Sequence, residues 1–167
     1  MSGNGQARRA SRLRGWTLAM IYLLIVQFFA GMITNLYVTI PAHHPGSNAH
    51  NYFTGATDSM GWALSSGGIW LAVHAALGLA LGLLALHIIM QAVLSHQRRW
   101  IWASVAGAVF LIGAGFNGAS FLVFGMNYSS LLMAGLFGLS LASYLTGLYL
   151  DARPGALRMA SSGGRRA

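Results

Sequence analysis

The sequence predicts an all-α fold, an integral membrane four-helix bundle with both termini on the cytoplasmic side, and three observations carry that expectation. Only 7% of the side chains are charged and 56% are hydrophobic, whereas about a quarter are charged in soluble domains. Four apolar stretches each match or exceed the roughly 20 residues that a helix needs to cross a bilayer. All ten basic residues are arginines, and they fall only at the chain ends and in one short loop.

Residues 1–15 (MSGNGQARRASRLRG) are polar and basic without apolar periodicity. They are expected to form a disordered cytoplasmic arm, held near anionic lipid by Arg8, Arg9, Arg12 and Arg14. The first span follows over about residues 16–40 and is longer than a signal-peptide apolar region, so it is expected to be retained. Pro41 ends it, and residues 41–60, rich in Pro, Gly, Ser, Asn and His, are expected to form the outer loop. The second span is placed at about 62–94, the third at 101–124 after the tight turn SHQRRW, and the fourth at 131–150 after GMNYSS. Residues 151–167 are expected to be a flexible cytoplasmic tail. Four spans use up the chain and leave no room for a second domain.

Sidedness follows from the arginines: four lie in the arm, two in the 95–100 turn and four in the tail, and the other two connections carry none. Positive charge marks the cytoplasmic face, so the arm, that turn and the tail are expected inside a bacterial cytoplasmic membrane. The net charge of +8 is thereby assigned to the lipid bilayer, and no nucleic-acid partner is expected.

Close helix approach in lipid depends on small side chains. The second span offers Ala72, Ala76 and Ala80 at four-residue spacing and a Gly78–Gly82 pair; the third offers Ala103, Gly107, Ala114 and Gly118. These stripes predict packing within the bundle, or a face for a homo-oligomer or a larger membrane complex. Trp16, Trp62, Trp70, Trp100 and Trp102 sit near predicted span ends, as interfacial aromatics do.

Candidate chemistry centres on His74 and His87, the ionisable side chains placed well inside a span. Their thirteen-residue separation is about 20 Å along a helix, a vertical spacing like that of two haems, although thirteen steps also turn His87 by about 220° from His74. Haem b is the candidate cofactor, with Gly78 and Gly82 leaving room for a flat ring below His74. No other span contains a histidine, so the iron either stays five-coordinate with one histidine or takes another axial ligand, the candidates for His74 being Met126 and a folded-in loop histidine. For His87 the candidates are Met20, Met90, Met159 or a residue of another subunit. The plainer alternative has both histidines as neutral hydrogen-bonding links between helices.

In IGAGFNGASF, Asn117 and Ser120 lie among glycines, either in tight helix packing with the amide bonded to a neighbour or facing His74 across a pocket. His43, His44 and His50 in the outer loop, followed by Asp58 and Met60, are candidate ligands for Cu or Zn; the alternative is that the loop caps the bundle. Gln27 and Asn35 are further polar groups at depth.

Absences narrow the classes. The only acids, Asp58 and Asp151, lie outside the predicted spans, so the intramembrane carboxylate of many ion-coupled transporters is missing. Lysine, glutamate and cysteine do not occur, which removes disulfides, thiolate metal sites and thiol catalysis. No intramembrane Ser/His/Asp triad, HExxH pair or phosphate-binding glycine loop is present.

The stretches NLYVTIPAHHPG, HNYFTG, HAALGLALGLLALH and GAGFNGASFLVFG, followed by SSLLMA, resemble a family of small four-span membrane proteins of high-G+C Gram-positive bacteria, over about residues 20–150. That resemblance implies a shared fold and supplies no activity; the similarity to four-helix b-type cytochromes is topological. The leading expectation is a haem-binding electron-transfer or sensing protein. The alternatives are a non-enzymatic accessory or assembly subunit, and a small channel or carrier.

Overall fold

The computed structural model describes the backbone of residues 3–163 and the side chains of residues 9–152. Among the described residues there are five helices and no strand: α1 (Gly3–Tyr37), α2 (Tyr52–Ser65), α3 (Ile69–Ser95), α4 (Arg98–Phe124) and α5 (Asn127–Gly163). Four stretches are long and apolar enough to cross a membrane: Arg9–Tyr37, Ile69–Ser95, Arg98–Phe124 and Asn127–Ala152.

Where the sequence suggested one loop and one long second span, the chain forms two helices. Asn51 starts α2 by accepting from the N–H groups of Phe53 and Thr54 at 3.0 and 3.2 Å, which satisfies donors that a helix start leaves without partners. After Ser65 the N–H groups of Ser66 and Gly67 both fold back to the carbonyl of Trp62. Gly68 then adopts φ +85°, a conformation that L side chains rarely take, and α3 starts in a new direction.

The segment expected to be a disordered arm is helical from Gly3. Its one leucine, Leu13, is buried in the core, and Arg9 donates to the carbonyl of Leu94 in the last turn of α3 at 3.3 Å. Arg14 pairs with Asp151 of α5. The expected tail continues α5 as helix to Gly163; its side chains beyond Ala152, and residues 164–167, lie outside the described residues.

The most extensive packing joins α4 to α5, followed by α1 with α3. Along the first pair, Trp100 meets Gly147, Gly107 meets Tyr144, Gly113 meets Leu136 and Gly118 meets Met133, an order that makes the helices antiparallel. The same reversal relates α1 and α3, through Thr34 with Trp70, Gln27 with His74, Trp16 with His87, and Arg9 with Leu94. The helix α3 also packs on α4, α1 touches α5, and α2 lies against both α3 and α4.

One end therefore gathers every described arginine: Arg9 beside Leu94, Arg14 beside Asp151, Arg99 beside Leu150, with Arg12 and Arg98 adjacent to them in the chain. The larger core, including Met20, Leu24, Leu81, Ile88, Trp100 and Tyr144, occupies the half nearer that end. A smaller core of Ala63, Leu71 and Leu122 lies under α2 at the opposite end.

Candidate functional site

His74 sits in the seam between α3 and α1. Its ring covers Gly31: a Cβ there would stand 3.0 Å from His74 Cε1, so glycine is what makes room for the imidazole. The side-chain amide of Gln27 donates to the His74 carbonyl at 3.0 Å and lies 3.5 Å from His74 Nε2. Gly78, one turn on, faces the same amide, whose nitrogen would lie 3.4 Å from an added Cβ. His74 Nδ1 and Gln27 Oε1 are buried without a hydrogen-bond partner among the described residues. Nearer the capped end, the Thr34 hydroxyl donates to the carbonyls of Ala30 and Trp70.

The outer pocket expected from the sequence is not assembled by these contacts. Asn117 bonds back to the carbonyl of Gly113 on its own helix at 2.9 Å and makes no hydrogen bond to His74 or to another helix among the described residues. Ser120 donates to Phe116 O and to the Tyr52 hydroxyl, which itself donates to Phe116 O. The Met126 sulfur accepts from the Tyr128 hydroxyl at 3.0 Å. A Cβ at Gly82 would meet nothing within 4 Å. Among the inner ligand candidates, Met20 is fully buried in the core and Met90 is exposed; Met159 lies outside the described side chains.

His87 has different surroundings. Its ring meets Trp16 edge to face, with centroids 4.9 Å apart, and its Nε2 is buried without a partner among the described residues. The two rings line a shallow groove of about 570 Å³ on the α1–α3 seam, with Arg12, Gly15, Ala19 and Gln91.

The loop histidines do not form the expected metal site. Among the described residues no three of His, Cys, Asp and Glu come together as a metal-holding group, and His43 and His50 are exposed. His44 is committed elsewhere. Its ring stacks on Trp62, with centroids 4.4 Å apart and planes 17° from parallel, while Nε2 lies 3.1 Å from Leu122 O and Nδ1 lies 2.9 Å from Pro45 O. The Asn48 N–H donates to Val123 O at 2.8 Å. Leu122 and Val123 belong to the last turn of α4, whose carbonyls lack partners inside their own helix. The loop thus closes the end of a span, the capping role weighed as the alternative to metal binding.

Sequence reasoning missed the partners of both histidines. Gln27 and Gly31 are four residues apart and so share one face of α1, as do Arg12 and Trp16. That spacing could have been read, but the register of α1 against α3 is not contained in either helix by itself. Compared with known families, curated proteins and solved structures, the chain matches none.

Proposed function

We propose that this chain is a non-enzymatic accessory subunit, multi-pass in a bacterial cytoplasmic membrane with both termini on the cytoplasmic side, that works by packing against another membrane component. One observation carries the reading. Gly82 of α3, Gly115 of α4, and Gly135 and Gly138 of α5 would each meet nothing within 4 Å if a Cβ were added. In lipid, helix association rests on close backbone approach at small residues, and these positions are not used for packing inside the chain. Two deep polar contacts, by contrast, join its own helices: Gln27 with the His74 carbonyl and Ser140 with the Gly107 carbonyl. The sharing of one end by the described arginines supports the proposed sidedness.

The test is blue-native electrophoresis of membranes from the protein's own cells, comparing wild type with a Gly135→Leu/Gly138→Leu double variant. The wild-type chain is expected to migrate well above its 17.7 kDa mass, in a second copy's company or in a larger complex. The double variant is expected to shift toward the free chain. A wild-type chain that migrates alone would remove the proposal.

A second reading, haem b bound through His74 for electron transfer or sensing, is favoured by the buried and unpartnered Nδ1 of that ring. The donor suits the iron, but Gly31 and Gln27 fill the space beside the imidazole, so a haem there requires α1 to move away from α3. A Soret band in the purified protein that disappears in His74→Ala supports this reading; no band after haem-supplemented expression sinks it.

A further inference from the structure

We propose that the groove on the α1–α3 seam at the arginine end holds the phosphate of an anionic phospholipid, bound by Arg12, His87 and Gln91. Three of the arginines at this end are already committed: Arg9 to Leu94 O, Arg14 to Asp151 and Arg99 to Leu150 O. Arg12 has no partner among the described residues, and it lines the groove. Around it, Arg12, Gly15, Trp16 and Ala19 recur at the spacing of one helix face, and His87 and Gln91 stand four apart on α3. Each polar side chain of the lining offers an N–H donor: a guanidinium, an imidazole with a buried unpartnered Nε2, and a primary amide.

No carboxylate competes with an anion here. Of the two acids in the chain, Asp58 is on α2 at the far end, and Asp151 is paired with Arg14. A Cβ at Gly15 would meet nothing within 4 Å, so the floor of the groove is open at that point. One turn further into the spans, exposed Leu23 and Leu83 continue the same two helix faces as apolar surface. A head group with acyl chains uses both parts of that arrangement, the cationic end and the apolar stripe, whereas a free anion uses only the first. The proposal rests on the membrane reading and not on any packing partner, so loss of the lipid without change in oligomeric state separates the two.

The experiment is native mass spectrometry of the full chain, released from nanodiscs containing equal phosphatidylglycerol and phosphatidylcholine. Wild type is expected to retain one phosphatidylglycerol in preference to phosphatidylcholine. Arg12→Gln is expected to weaken retention about fivefold, the effect of one arginine near an anionic lipid surface. Arg98→Gln, which removes an exposed arginine of the same end outside the groove, is expected to leave it unchanged, and Gly15→Leu to block the groove with every charge in place. Circular dichroism of each variant checks that the helices persist.

Equal losses in Arg12→Gln and Arg98→Gln, or equal retention of the two lipids, would overturn the site in favour of diffuse surface attraction. Displacement of the lipid by excess inorganic phosphate would assign the groove to a small anion instead. A Soret band on haem addition that His87→Ala abolishes would assign it to a tetrapyrrole.

Discussion

His44 has carbonyl oxygens at both ring nitrogens, Pro45 O at 2.9 Å and Leu122 O at 3.1 Å. The second contact reaches the C-terminal turn of α4, and the ring lies flat on Trp62. His44→Ala is therefore expected to release the loop, read as faster amide hydrogen exchange at Ser47 and Asn48 with α5 unaffected. Unchanged protection at Asn48 would show that the turn holds itself. At Gly31 the constraint is volume: the His74 ring occupies the place of a side chain. Gly31→Val is expected to push α1 off α3 and cost about 1–3 kcal/mol, the usual penalty of overpacking, measured as a lower unfolding midpoint in detergent. The sequence marked His74 and His87 as unusual because polar groups in apolar helices stand out. It could not reveal what His74 touches, since Gln27 and Gly31 become its neighbours only through the alignment of two separate helices.

Among the elements, α4 and α5 form the tightest pair because large rings on one helix meet glycines on the other. A Cβ on Gly107 would come within 2.7 Å of the Tyr144 ring, and one on Gly147 within 3.2 Å of Trp100. Gly107→Leu should accordingly destabilise by about 1–3 kcal/mol or more, whereas Gly115→Leu, eight residues along the same helix with nothing within 4 Å, should be tolerated by the isolated chain. Thermal unfolding of both variants in one detergent decides this; equal losses would mean that the pair is not held by that socket. The apolar spans were legible from composition and length, and the stripe containing Gly107 and Gly118 was legible as a packing face. The division of the predicted second span was not. Residues 52–60 read as loop and 62–65 as the head of the second span, and the break between α2 and α3 depends on Ser66, Gly67 and Gly68, which hydropathy averages away. The start of α1 was missed for the converse reason: an arginine-rich segment without periodicity is helical where Leu13, Arg9 and Arg14 find partners on other helices.

For the whole molecule, the described arginines mark one end and α2 with its preceding loop marks the other. The chain contains no cysteine, so single-cysteine probes need no background removed. On the proposed sidedness, Thr57→Cys on the exposed face of α2 is expected to react with a membrane-impermeant maleimide in intact cells, and Gln97→Cys only after permeabilisation. The reverse pattern would invert the topology. The ion pair of Arg14 with Asp151 joins a residue early in the first long helix to one late in the last. For a chain threaded through a bilayer, such a pair can close only when the number of crossings between its members is even. A protein in which any single span failed to insert would leave these two charges on opposite faces of the membrane, so this contact reports whether the number of inserted spans is even.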